Sequence, residues 1–355
     1  MAKVAEVQRK IALPVISSCK ECYWIGPCGG YHDREGLFSN TCFEKHCCGG
    51  NAACNYLCPS NPRYIPMLNE VEGLRFGDLP VLAPRKLALP EYVPSVLHHS
   101  LRAEPLNIPF AAVPPKEVLR IRGGRMEAVA SSALALRNRL SLSPQTRIVL
   151  NCIRQDNEIE KLWEFWVQDD IPELLAPLGI DAVIAPNFSH LQGVPRTEIL
   201  GNRMRHLICL RDMHAAGLKV VPHLSVVDPQ DWEFWRDWLL RNPKVKRVAF
   251  EFETGYKIRV DGIDAIGRLA CVQKAIDREL HLVAVGGTQY RNEIRSLFKT
   301  CTFIDATLFS KTVRRQRGRL AAGQLAWSPW ETADGEMLDE LFANNFQVYT
   351  TWINS

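Results

Sequence analysis

At 355 residues, the chain is long enough for one large domain together with a small module. A composition of 46% hydrophobic and 23% charged residues is that of an ordinary globular protein and excludes a low-complexity or disordered chain. A formal net charge of +4 is too small to attract a polyanion through the overall field, so any such binding must come from local clusters.

The chain begins "MAKVAEVQRKIALPVISSCK" (1–20), without the long apolar core of a secretory signal. No apolar run approaches the ~18 residues of a membrane span. The expected location is the cytoplasm, with no membrane partner. The composition is silent on oligomeric state.

Eight of the twelve cysteines then follow within forty positions: Cys19, Cys22, Cys28, Cys42, Cys47, Cys48, Cys54 and Cys58. This stretch is rich in Gly, Asn and aromatic residues and has too little apolar periodicity for a core of its own, so a cross-link must hold it. In a cytoplasmic chain, metal is a better cross-link than disulfides. Only Cys19 and Cys22 form a C-x2-C zinc knuckle, with His32 and His46 as further zinc donors. The adjacent Cys47 and Cys48, and the Cys54-x3-Cys58-Pro59 ending, favour an iron–sulfur cluster. Iron–sulfur and zinc both stay open, in a structural role, and no C-x3-C-x2-C triplet is present. Residues 1–73 are therefore expected to be a cysteine-rich metal-binding module. The other four cysteines (Cys152, Cys209, Cys271 and Cys301) lie in apolar segments and read as small core residues.

From about residue 74 the pattern changes to short β-branched runs, each followed by a turn and a helix-period stretch. The runs are "LPVLAP" (79–84), "IPFAAVPP" (108–115), "RIVLNC" (147–152), "DAVIAPNFS" (181–189), "LKVVPHLSV" (218–226), "VKRVAFEFET" (245–254), "LHLVAVGGT" (280–288) and "CTFIDATLFS" (301–310). Eight strands alternating with helices predict an α/β fold, a (β/α)8 TIM-like barrel over 74–325. A C-terminal extension, 326–355, is expected to pack on it. A doubly wound sheet is disfavoured, because no G-x-G-x-x-G follows the first strand. "DWEFWRDW" (231–238) reads as a helix packing Trp and Phe inward rather than as a base-stacking platform.

Barrel enzymes draw their active groups from the C-terminal ends of strands. Those ends carry Arg85 and Lys86, Lys116 and Glu117, Arg154 to Asp156, Asn187, His223, Glu251 and Glu253, Gly286 and Gly287, and Asp305. Strand-end polar residues also cap helices, but this set converges. Asp305 stands out, because Lys311, Arg314, Arg315, Arg317 and Arg319 follow it and suit phosphate contacts. Arg120, Arg122 and Arg125 offer a second basic patch.

The segment "HLVAVGGTQYRNEIRSLFKTCTFIDATLFSKTVRRQRG" (281–318) resembles the tRNA-guanine transglycosylase superfamily. In that family a strand ending in G-x-G-T is followed by a helix, then by a strand carrying F-D-C-V-x-P-T-R and a basic stretch. The matching positions are Gly286-Gly287-Thr288 and Ile304-Asp305-Ala306-Thr307, followed by Lys311 to Arg314. The resemblance implies that Asp305 is the nucleophile. It places Asn187 near the guanine-recognising acid, and His223 near the base-binding glutamine. The likeness spans about 75–325 and is specific over its last forty residues. The G-G-L-A-V-G-E loop and the C-terminal C-x-C-x2-C zinc motif of the family are absent.

The resemblance implies cleavage of an N-glycosidic bond. A carboxylate beneath the sugar C1′ would stabilise an oxocarbenium-like transition state or attack it. Asp305 takes that role, with His223, Glu251 and Glu253 as candidate proton donors. Asn187, Gly286 and Gly287 are candidate base contacts. An amide both donates and accepts where an acid only accepts, so Asn187 shifts the expected base from guanine towards cytosine or adenine. The expected enzyme is a DNA glycosylase acting on a modified or non-guanine base, of the kind found in phage defence and DNA-modification loci. DNA, including modified phage DNA, ranks ahead of tRNA as partner, and the chemistry needs no cofactor. Three alternatives stay open: a base-exchange transglycosylase, an iron–sulfur redox barrel, and a non-catalytic nucleic-acid-binding protein.

Overall fold

Val93, Ala112, Val149, Ile184, Val221, Ala249, Val283 and Ile304 come from eight separate segments and share one buried cluster. The computed structural model describes residues 69–98, 101–190, 196–256, 258–333 and 335–355. Within them, β1 (Tyr92–Pro94), β10 (Thr300–Asp305), β9 (His281–Val285) and β8 (Arg247–Glu251) form one parallel sheet in that order. A second parallel sheet runs β2 (Phe110–Val113), β5 (Arg147–Asn151), β6 (Ala182–Ile184) and β7 (Val220–Val221). Single bridges join the two at both edges, Ser95 to Ala112 and His223 to Ala249. The eight strands thus close into a ring with no free edge, an α/β barrel.

Between the strands lie α1 (Ala133–Arg139), α2 (Asp156–Glu164), α3 (Ile171–Leu175), α4 (Arg196–Ala215), α5 (Pro229–Arg241), α6 (Arg259–Ala275) and α7 (Arg291–Leu297). A hairpin of β3 (Leu119–Arg122) and β4 (Arg125–Ala128) is inserted after β2. Past β10 come α8 (Thr307–Val313), the antiparallel hairpin β11 (Gln316–Ala321) and β12 (Gln324–Pro329), and α9 (Asp339–Asn354). No helix of the described residues is long and apolar enough to cross a membrane.

The described residues fall into two compact units, of which the larger, Leu79–Phe188 with His206–Ser355, carries the barrel. In the smaller unit, Arg205 pairs with Glu70 at 3.3 Å and the Asn202 amide donates to the Ser189 carbonyl at 2.7 Å. All eight clustered cysteines lie outside the described residues, as do His32 and His46.

Six of the eight strands lie within the apolar runs expected for them, and β10 starts one residue ahead of its run; the first strand does not match. Residues 79–84 form no strand, and β1 is Tyr92–Pro94 instead. Pro80 and Pro84 have no N–H to give to a ladder. The amide of Leu82 is taken by the side-chain oxygen of Asn242 at 2.7 Å, and Val81 is exposed. Pro90 ahead of it and Pro94 at its end disguised the true strand, whose short ladder reaches β10 through Tyr92, Val93 and Pro94. Cys152, Cys209 and Cys301 are buried as expected of core cysteines, but Cys271 is exposed. It lies on α6 opposite the stripe formed by Ala265, Ile266, Leu269 and Val272.

Helix α5 shows how local sequence sets an element. Asp228 and Asp231 form a reciprocal capping box on either side of Pro229, the favoured first helical residue. Trp235 and Trp238 then turn inward, and the Trp235 indole donates to the Ser225 carbonyl at 2.9 Å.

Candidate active site

In parallel strands, paired residues share a face, and successive residues alternate. Ile304 pairs with Val93, and both belong to the barrel interior. Asp305 therefore lies on the outer face of β10, with Tyr92 and Phe303. It is 5% exposed. Its Oδ1 accepts from the Tyr92 hydroxyl at 3.3 Å and from the Thr307 amide at 3.1 Å, and its Oδ2 accepts from the Tyr349 hydroxyl at 2.5 Å. Burial pushes the Asp305 carboxyl above the ordinary carboxylate range, while hydrogen bonds from Tyr349, Thr307, Thr288 and Tyr92 oppose that rise. Both tyrosines are raised in turn, first by burial and then by the charge of Asp305.

Asp305 forms part of the wall of an open cleft of about 460 Å³ at the C-terminal ends of β8, β9 and β10. From the end of β8 come Phe252, Glu253 and Tyr256; from β9, Gly286, Gly287, Thr288 and Gln289. Burial raises the Glu253 carboxyl and the charge of Asp305 raises it further, against the pull of Arg154. Two glycines make this packing possible. Gly286 has a φ of +70°, and a Cβ there would lie 2.5 Å from Cγ of Glu253. Gly287 has a φ of +73°, and its Cβ would lie 2.8 Å from the Phe252 ring. Only glycine allows both the left-handed backbone and the close approach.

The third wall is α8. Its buried side carries Leu308, Phe309 and Thr312, while Thr307, Ser310, Lys311 and the cap residue Arg314 face the cleft. The Lys311 ammonium lies 5.7 Å from the centre of the Trp327 ring.

The cleft thus gathers Asp305, Glu253, Gly286, Gly287, Lys311 and Arg314 from the residues singled out in the sequence. It does not gather the others. His223 faces the barrel interior, buried, with Nδ1 3.1 Å from the Ser225 hydroxyl. Burial and neighbouring His206 lower its pKa to about 3, so its imidazole is neutral. Glu251 accepts from the Thr254 amide at 2.5 Å, and burial raises its carboxyl. The side-chain oxygen of Asn187 accepts from the Arg154 amide at 2.8 Å, which makes it a loop brace. Arg315 reaches the Glu336 carbonyl, and Arg317 stacks at 4.5 Å on Trp330 and contacts Asn344. Arg319 is exposed on β11. In the second basic patch, Arg120 pairs with Glu127 at 3.6 Å and Arg125 binds Asp169.

Sequence reasoning missed Tyr92 and Tyr349, and it marked Thr288 only as a motif match without a role beside Asp305. Tyr349 belongs to a buried stripe of α9 with Leu341, Phe342, Asn345 and Ile353. A tyrosine and an asparagine inside an otherwise apolar stripe are the available signal, since each needs a buried partner. No group of three or more His, Cys, Asp or Glu side chains is placed to hold a metal among the described residues.

No family model and no curated protein matches the chain. Among solved structures it is similar to a protein described as a fructose-1,6-biphosphate aldolase from Coccidioides immitis, with 10% identity and a TM-score of 0.38 over 82% of this chain and 93% of that one. It is also similar to a sialic acid aldolase from Ruminococcus gnavus, at 12% identity and a TM-score of 0.32 over 63% and 72%. A third is an aldolase/citrate lyase family protein from Burkholderia cenocepacia, at 12% identity and a TM-score of 0.31 over 69% and 96%. Likeness at this level carries no argument about activity. The barrel is read from the strand pairings themselves.

Proposed function

We propose that the cleft breaks the N-glycosidic bond of a base in DNA, a modified or non-guanine base. The observation that carries this reading is the pairing of Asp305 and Glu253 in one cleft, two carboxyls in different surroundings. Asp305 is held by three donors, Tyr92, Thr307 and Tyr349, which orient it to stabilise positive charge developing at the sugar C1′. Glu253 is kept protonated more readily by burial and by the charge of Asp305, which suits a general acid. In the proposed step, the bond from C1′ to the base breaks and its electron pair leaves with the base. Glu253 gives the base a proton. Water then adds at C1′ and returns a proton to Glu253, leaving a free base and an abasic sugar.

The cleft lies within the ~300–1,000 Å³ range of small-ligand sites. That size suits a single flipped-out nucleotide rather than a duplex. His223 and Glu251, engaged elsewhere, take no part in this scheme.

The test is strand scission by alkali after incubation with plain DNA, DNA carrying modified cytosines, or tRNA. Breaks are expected with the native protein and not with Asp305→Asn or Glu253→Gln. Incorporation of a labelled free base without abasic sites would replace hydrolysis by base exchange. Neither breaks nor incorporation on any substrate would remove the reading.

A further inference from the structure

Three residues of α8 and its C-terminal cap residue border the cleft: Thr307, Ser310 and Lys311, with Arg314 as the cap. Their spacing is i, i+3, i+4 and i+7, which is one stripe of a helix. Every member is a hydroxyl or a cation, and no acid interrupts it. Neither Lys311 nor Arg314 forms an ion pair among the described residues, in contrast to Arg120, Arg125, Arg147 and Arg154. Lys311 is instead steadied over the Trp327 ring. The stripe stands beside the ends of β9 and β10, the seventh and eighth strands of the ring, where barrels frequently hold phosphate groups.

We infer that this stripe of α8 is a subsite for a phosphate ester, which Lys311 and Arg314 grip by charge and Ser310 and Thr307 orient by hydrogen bonding. The inference deepens the proposed function by giving the nucleotide phosphate a seat. It rests on that reading only for the identity of the ester, not for the binding. Two acids share the cleft, so the charge balance needs an argument. Asp305 is almost wholly buried with its oxygens already accepting from Tyr92, Tyr349 and Thr307, and Glu253 comes from the β8 end rather than from α8. The stripe and the carboxyls thus suit the two parts of one substrate, a phosphate arm and a sugar.

Only two of the five basic residues that follow Asp305 serve this subsite. Arg315 and Arg317 are occupied by the Glu336 carbonyl and by Trp330, and Arg319 sits on the hairpin.

The experiment is calorimetric titration of the whole protein with a nucleoside 5′-monophosphate, inorganic phosphate and the unphosphorylated nucleoside. The expected result is saturable binding of one 5′-monophosphate per chain, tighter than that of either other probe. Lys311→Ala and Arg314→Ala should each weaken it about tenfold or more, as loss of a charge-assisted hydrogen bond does. Lys274→Ala, which removes an exposed charge on α6, should leave it unchanged and so controls for general electrostatics. Circular dichroism of each variant checks the fold. Asp305→Asn should keep the binding, which separates this inference from the glycosidic reading: binding without base release removes only the latter. Non-saturable binding, tighter binding of inorganic phosphate than of the ester, or unchanged affinity in the Lys311→Ala, Arg314→Ala double variant would overturn it.

Discussion

The hydroxyl of Tyr349 lies 2.5 Å from Oδ2 of Asp305, although 44 positions separate them in the chain. It joins the last helix to the end of the last barrel strand. The bond favours the ionised carboxylate against the effect of burial. Tyr349→Phe is therefore expected to raise the Asp305 pKa further and to move the acid limb of the rate profile to higher pH. Activity at neutral pH should fall about tenfold or more, in line with loss of a hydrogen bond to a charged group. A pH–rate profile for both proteins checks this, and an unmoved limb counts against Asp305 as the ionised group.

Asp305→Asn makes a prediction about stability. The folded-state pKa of Asp305 is raised above its unfolded value, so its contribution is fully present below the unfolded pKa of about 3.9 and is lost as pH rises through the folded value. The Asn variant lacks that loss. It should melt about 1–3 °C higher relative to the native protein at neutral pH than at pH 4. Melting curves across that interval decide it, and a constant difference would mean that the carboxyl is not strained by burial.

His223 behaves in the opposite sense. Its folded pKa is lowered to about 3, so the stability tied to its neutral form is present above its unfolded pKa of about 6.5 and is lost as pH falls below it. Its imidazole NMR signals should not titrate between pH 7 and pH 4. A midpoint near 6.5 would show that it is exposed to water.

Asn345 is fully buried, and its amide is used on both sides. Its oxygen accepts from the Gly318 amide at 2.8 Å, and its nitrogen donates to the Thr312 hydroxyl at 2.9 Å and the Gln316 carbonyl at 2.8 Å. One side chain thus ties α9 to α8 and to β11. Asn345→Ala removes all three bonds, leaving the Thr312 hydroxyl only its bond to the Leu308 carbonyl, and should cost about 3 kcal/mol by denaturant unfolding. A cost below about 1 kcal/mol would mean that water replaces the amide.

Gly286→Ala adds both backbone strain and a methyl group where Glu253 packs. Gly124 has a similar φ of +76° but nothing within 4 Å of an added Cβ. Both substitutions should destabilise by about 1–2 kcal/mol through the left-handed backbone. Only Gly286→Ala should also depress activity, by about tenfold, because it alone displaces a carboxyl of the cleft. Equal activity in the two variants would separate Glu253 from the chemistry.

Which features the sequence revealed follows from how far apart their parts lie. Seven barrel strands were legible because each carries its own β-branched, apolar signature over a few residues. β1 was not, because Pro90 and Pro94 mimic a loop while Val81 and Leu82 mimic a strand. Asp305 and Glu253 were legible as polar residues at strand ends. The setting of Asp305 was not, because Tyr92 and Tyr349 reach it from distant segments that nothing local connects. His223 and Glu251 sit at similar strand ends, and only the packed structure separates them from the cleft.

The origin of Tyr349 also has a meaning in time. While the chain is being synthesised, β10 can complete the ring of strands as soon as Asp305 has left the ribosome. The aspartate then waits for a partner still to be made. A nascent barrel is therefore a closed vessel with an untuned acid. If the proposed chemistry holds, the carboxylate reaches its full strength as a reagent only once α9 has docked.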